Sequence, residues 1–182
     1  HVRAPDPSVQ KYTRIVESDG RPGVAVIPVL RQRVGLVQVF RYPISNTVWE
    51  IPRGFGDTAD PSVNSHREIS EETTLELSGY DLVPLGSIHA NSGLLANEVI
   101  LYAAVCTRMF PDGKPRDPEV IQFKWFDLNS LTNMMRGGEL SDSFTYAALL
   151  RAIQEGILCE EREIVGTGAV SSVLDSKATS HR

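Results

Sequence analysis

Trp49–Leu75 reads WEIPRGFGDTADPSVNSHREISEETTL, and the run inside it on which the rest depends is Arg67-Glu68-Ile69-Ser70-Glu71-Glu72. Asp60-Pro61 has the chemistry of a helix start. A carboxylate there can cap the first free amides, and proline suits the first helical position, where its missing N–H is no loss. The spacing therefore predicts a helix from about Pro61 to Thr73. At about 100° per residue, Glu68, Glu71 and Glu72 fall within roughly one third of its circumference. Ser62, His66, Ile69 and Thr73, with Val63 at the margin, form the expected packed side.

Three acids on one stripe repel each other. Glu68 faces Glu72 at i,i+4 and Glu71 at i,i+3, and each like-charge pair costs a few tenths of a kcal/mol on an exposed helix. A hard divalent cation converts that cost into a binding site, because magnesium-like ions take carboxylate oxygens. Arg67, one turn before Glu71, is placed to hold that carboxylate as an ion pair. The plain alternative is a solvated acidic face. The segment in front weighs against it: Trp49-Glu50-Ile51-Pro52 reads as a short strand, and Gly54-Phe55-Gly56-Asp57 as a turn that lets backbone approach a ligand closely.

Strand, glycine loop and acidic helix in this order resemble the Nudix hydrolase family. Its signature runs Gly, five residues, Glu, seven residues, Arg-Glu, an aliphatic residue, any residue, Glu-Glu, any residue, Gly and an aliphatic residue. Gly54, Arg67, Glu68, Ile69, Glu71, Glu72 and Leu75 match it. Asp60 stands where the family has Glu, the interval from Asp60 to Arg67 is one residue short, and Thr74 stands where the family has Gly. The box is degenerate at its edges and whole at its centre. The departure at Thr74 concerns only how the helix ends.

Outward from this stretch, 182 residues suffice for one domain with a real core. Hydrophobic content of 41% and charged content of 23% are ordinary for a globular chain. A net charge of −5 argues against general nucleic-acid affinity. The longest apolar run, Val99–Cys106, is far short of a membrane span. Cys106 and Cys159 lack metal-ligand spacing, so reduced thiols and a cytoplasmic location are the expectation. The chain begins at His1, which leaves a removed leader open.

Residues 1–20 are expected as a polar N-terminal segment, 21–157 as the domain and 158–182 as a polar C-terminal tail. Tyr12–Glu17 is a candidate short strand before the Ser18-Asp19-Gly20 turn. Val24–Leu30 and Gly35–Tyr42 read as two strands, the second mostly apolar and suited to burial on both faces. Tyr80–Val83 and Gly86–His89 read as two weak strands, Asn97–Cys106 as a clear one and Val120–Phe126 as another. Leu128–Met135 is a short helix ended by Gly137-Gly138. Ser141–Ile157 is the expected longest helix, with Phe144, Ala147, Ala148, Leu149, Ala152 and Ile153 as its apolar stripe.

These elements give an α/β (α+β) layered domain. The resemblance, which covers roughly residues 20–155, implies an α/β/α sandwich with a mixed β-sheet. Val34–Arg53, the Gly93–Glu98 pattern and Ser141-Asp142-Ser143-Phe144-Thr145 look most like the ADP-ribose pyrophosphatase branch. That branch usually carries a proline near Asn91 or Ser92, and this chain has none.

The resemblance implies that Glu68, Glu71 and Glu72, aided by backbone around Gly54 and Phe55, bind Mg2+ or Mn2+. Either Glu68 or Glu71 can orient or deprotonate water, with Arg67 holding Glu71. Glu119 is assigned to catalysis as a candidate base and Glu98 to substrate contact, and either is a candidate for a further metal ligand. Arg41 and Arg53 suit diphosphate, since guanidinium pairs well with phosphate oxygens. Trp49, Phe55 and Tyr42 are candidates for stacking on a base, against the commoner role of core aromatics. His66, on the expected packed side, reads as structural, and Ser92 and Ser141 lack His-Asp partners. The implied activity is metal-assisted hydrolysis of the diphosphate bond in a nucleoside diphosphate linked to another group, ADP-ribose or an ADP-sugar first. The alternatives are a non-catalytic domain that senses such a nucleotide, and an isomerase, for which no extra acid-base pair is found. The expected partner is a small nucleotide, without nucleic acid or membrane, and the chain is a candidate homodimer.

Overall fold

The two apolar runs on either side of Arg31-Gln32 become the spine of the sheet. A computed structural model of the chain describes residues 2–3 and 9–159. A two-residue ladder, β1 (Val2–Arg3) with β2 (Val9–Gln10), stands by itself. β3 (Gly23–Leu30) and β4 (Arg33–Arg41) form the hairpin, and β5 (Asn46–Glu50) returns along β4. The other strands are β6 (Arg53–Gly54), β7 (Tyr80–Ile88), β8 (Val99–Cys106) and β9 (Val120–Asp127). Together they make a seven-stranded sheet of order β5-β4-β3-β8-β7, with β6 added to β3 and β9 to β4. β3 and β8 run parallel while the other pairs are antiparallel, so the sheet is mixed.

Strand side chains alternate between faces, and the core divides accordingly. Ala25, Ile27, Val29, Val34, Leu36, Leu101 and Ala103 point to one side, where α2 (Leu128–Gly137) and α3 (Ser143–Gln154) bring Leu131, Met134, Ala148, Leu149 and Ala152. Val26, Val37, Val39, Ala104 and Cys106 point to the other, where α1 (Pro61–Glu72) brings Ile69. The result is the expected α/β/α sandwich. Val34–Val37 are buried without interruption, which is why the pattern there is apolar rather than alternating.

Several elements differ from their sequence reading for identifiable reasons. Tyr12–Glu17 makes no strand, only a single parallel bridge from Ile15 to Leu95. The two weak strands after α1 are one strand, β7, whose register shifts between Pro84 and Gly86, with Gly86 at φ 93°. The last helix starts later than expected because Asp142 caps it, its carboxylate accepting the Thr145 amide, and at 12 residues it only equals α1. Leu158, assigned to the tail, is buried in the core under α3. The tail from Glu160 onward lies outside the described residues.

Candidate active site

The glycine loop is fixed from both sides before α1 begins. The Val26 amide donates to the Pro52 carbonyl at 2.8 Å, and the Ile51 amide to Thr145 Oγ1 at 3.0 Å. Gly54 faces Val24 across the β3–β6 ladder. Arg21 donates from Nη1 to the Asp57 carbonyl at 2.8 Å, so the loop is clamped at its far end too. α1 then starts as its sequence dictates, with Asp60 accepting the Ser62 amide at 2.8 Å and Pro61 in the first turn. The Ser62 hydroxyl, which donates to Asp60 Oδ1 at 2.7 Å, and then the Ser62 amide hold the Asp60 carboxyl below the usual range, and the carboxyl stays exposed as a cap.

Arg67 is the hub of the site. Its Nη2 lies 2.6 Å from Glu68 Oε1, 3.1 Å from Asp57 Oδ2 and 3.2 Å from the Phe55 carbonyl, and its Nη1 lies 2.8 Å from Glu71 Oε2. The expected Arg67–Glu71 pair is therefore present, but the same guanidinium also gathers Glu68 and Asp57. Asp57 was read from sequence only as a turn residue. Its pairing with Arg67 depends on how the loop folds back, which spacing alone does not reveal.

The packed face of α1 is broader than expected: Ile69 and Thr73 of the expected side are buried, and so is part of the acid stripe. Glu68 and Glu72 are buried along with Asn64, Ser65 and Ile69, while Val63 is half exposed. Hydrogen bonds explain the burial of polar groups. Glu72 Oε2 accepts the Arg53 amide at 3.1 Å, and Asn64 both accepts from the Thr58 amide and donates to its carbonyl, each at 3.0 Å. Burial, and then the neighbouring Glu68 charge, push the Glu72 carboxyl up to about 8. Burial also raises Glu68, against the opposing pull of Arg67.

Gly54 is required for this approach. A Cβ on Gly54 would overlap the Glu68 carboxylate. Among the described residues, no three His, Cys, Asp or Glu side chains close round one point as a ready cage; the Arg67 guanidinium lies among the acids instead. The donor set nonetheless fits a hard divalent cation. It consists of carboxylate oxygens and a loop carbonyl, and Glu72 has no cationic partner among the described residues. Glu68, Glu71 and Glu72 are the groups that would hold the ion.

Arg41 and Arg53, read as free phosphate contacts, converge on a residue the sequence reading passed over. Glu50 is 1% exposed, and both arginines pair with it. An acid at the end of a strand gives no sequence signal of that kind. Glu119 is exposed in a loop docked on α1, where the Asp117 amide donates to the Glu71 carbonyl at 2.9 Å. Glu98 is exposed and accepts from the Ser87 hydroxyl, one residue before Val99, which pairs with Gly23. Since β3 carries β6 on its other edge, Glu98 and Gly54 lie at the same end of the sheet. Trp49 packs edge-on against Phe126 at 4.9 Å and belongs to the core, whereas Phe55 and Tyr42 are exposed. His66 bonds the Tyr80 hydroxyl at 2.8 Å, a structural contact.

The NUDIX domain family model matches residues 19–153. Among solved structures, a crystal structure of an ADP compounds hydrolase superposes with a TM-score of 0.59 at 15% identity, covering 75% of this chain and 72% of that one. At that identity the likeness speaks for the fold. A search of curated proteins finds no match. No helix among the described residues is long and apolar enough to cross a membrane.

Proposed function

The chain belongs to the NUDIX family, and from that premise we propose that it is a metal-dependent hydrolase of the diphosphate bond in a nucleoside diphosphate joined to another group. The observation that carries the reading is the packing of Glu68 against Gly54, with Glu71 and Glu72 on the same helix and Arg67 at the hub. ADP-ribose or an ADP-sugar is the favoured substrate class, because Gly93–Glu98 and Ser141–Thr145 carry that branch's pattern. The ADP compounds hydrolase with the same fold is in keeping with it.

Magnesium or manganese, when bound, supplies Lewis-acid neutralisation of phosphoryl charge and activation of water. The chain's own residues do the rest. Arg67 sets the spacing of Glu68 and Glu71. The buried Glu72 accepts the Arg53 amide through Oε2, has no cationic partner among the described residues, and would release its proton on holding a cation. Glu119, exposed two residues after Asp117, whose amide bonds the Glu71 carbonyl, is our choice of proton acceptor. Arg41 and Arg53 are the diphosphate contacts. Homodimerisation and a cytoplasmic site of action belong to the same reading, and the former is checked by light scattering.

The test is a panel of nucleoside diphosphate compounds with magnesium or manganese, read out as released phosphomonoester. Turnover of ADP-ribose that stops on chelation is the expected result. Tight binding without turnover would favour the sensor reading instead. In parallel, millimolar magnesium should raise the melting temperature well beyond sodium at matched ionic strength, because selective binding stabilises the folded state. Equal effects would mean simple screening of an acidic surface.

A further inference from the structure

Glu50 is a charged group beside α1 to which the proposed chemistry gives no task. It ends β5 on the sheet face that also carries Arg41, and its carboxylate is almost wholly buried. Arg41 grips it with two nitrogens, Nη2 on Oε1 and Nε on Oε2, the latter at 3.2 Å. Arg53 shares Oε2 through its own Nη2 at 3.3 Å. The two guanidiniums thus converge on one oxygen. Arg53 is in turn fixed over the Phe144 ring, 4.8 Å from its centroid, and its main-chain amide is the donor to Glu72.

Three features set this apart from an ordinary structural ion pair. One carboxylate is shared by two cations, and the nearest further acid, Asp142, lies 3.8 Å from Arg53 with its other oxygen engaged by Thr145. Arg53 Nε is buried without an acceptor. The Arg41 and Arg53 side chains nonetheless keep 29% and 27% of their surface exposed. A buried charge network adds little stability over apolar packing, whereas two partly exposed arginine side chains, one with an unsatisfied donor, suit an anion with several oxygens.

We propose that Glu50 is a positioning residue that holds Arg41 and Arg53 as a two-guanidinium clamp for the substrate diphosphate at the Glu72 end of the site. The proposal rests on the diphosphate-hydrolase reading. Its physical content is preorganisation: two long flexible side chains are ordered before the ligand arrives, so binding does not bear that entropy. Loss of Glu50 therefore weakens binding rather than the chemical step, and the effect falls on KM.

The experiment compares Glu50→Gln and Glu50→Asp with wild type in ADP-ribose hydrolysis, alongside manganese binding to the free protein. Gln keeps the shape without the charge. Asp keeps the charge but is one methylene shorter, so it serves as the folded control if Gln fails to fold. KM should rise about tenfold or more in each folded variant, with kcat and manganese affinity within about threefold of wild type. A merely structural Glu50 would lower the melting temperature and leave the KM of the folded protein unaltered, and that result would overturn the clamp. So would a fall in kcat at unchanged KM. A wild-type chain inert towards every diphosphate would overturn the hydrolase reading itself; a competent wild type with both variants unchanged in KM would overturn only the clamp.

Discussion

Burial beside β6 sets the titration of Glu72. Its folded-state pKa of about 8 lies above the roughly 4.3 of an unfolded glutamate, so the folded protein binds the additional proton. The sign follows from linkage: the stability this contributes is full below the unfolded pKa and is lost as pH rises through about 8. In chelator, the melting temperature should therefore fall between about pH 4.5 and about pH 8 by an amount equivalent to a few kcal/mol, and level off above that. Glu72→Gln, which carries no charge at any pH, should flatten that fall in a thermal melt and abolish metal-dependent turnover. A variant with an unchanged pH slope would remove Glu72 as its source. Asp60 is the opposite case, an exposed acid spent on a cap. Asp60→Asn should leave the melt and manganese affinity alone, since Asn caps about as well, while Asp60→Ala should lower the melting temperature by a few degrees. A large loss of manganese binding in Asp60→Asn would show that it serves the metal after all. The Asp-Pro pair made this cap legible in sequence, because capping is local chemistry. The Glu50–Arg41–Arg53 group was not, because it joins β4, β5 and β6 through tertiary packing.

At the scale of elements, strands and helices were readable wherever apolar period and turn chemistry agreed, as in β3, β4, β8 and α2. The face of α1 was not. Periodicity assigns charges to water, yet here the charged face docks on the loop, with backbone amides at Thr58 and Arg53 as its partners. Polar packing of that kind leaves no apolar pattern to read. Gly54 tests the account, since the atoms its absent side chain makes room for are those of Glu68. Because they are the end of a flexible side chain, Gly54→Ala should displace the carboxylate rather than the strand. The expected outcome is a melt within a few degrees of wild type, with manganese affinity and turnover reduced tenfold or more, on the order of 1.4 kcal/mol. A full loss of folding would mean instead that β6 cannot move.

The molecule as a whole is closed by Asn97, a buried amide that the sequence places at the start of a strand and the structure places in the loop ahead of it. Its Oδ1 accepts the Glu17 amide at 2.7 Å, and its Nδ2 donates to the Glu17 and Arg21 carbonyls at 2.8 Å each. It thereby fastens Glu17, in the segment 1–20 read from sequence as lying outside the domain, and Arg21 to the loop ahead of β8. Arg21, next along that segment, clamps the Asp57 carbonyl, and Asp57 is a partner of Arg67. A path of hydrogen bonds thus runs from Asn97 through the N-terminal segment to the hub of the site. Asn97→Ala leaves one amide and two carbonyls without their partner, and each such loss in a buried setting costs about 1–3 kcal/mol unless water replaces it. The variant should melt several degrees lower, and hydrogen exchange should accelerate first at the Glu17 amide, before the core of β3. Turnover at saturating metal should fall less than the stability change would suggest, because Arg67 keeps Glu68 and Glu71 in place by itself. Exchange that quickened equally in β3 and at Glu17 would show that Asn97 supports the fold globally and is not a local tie.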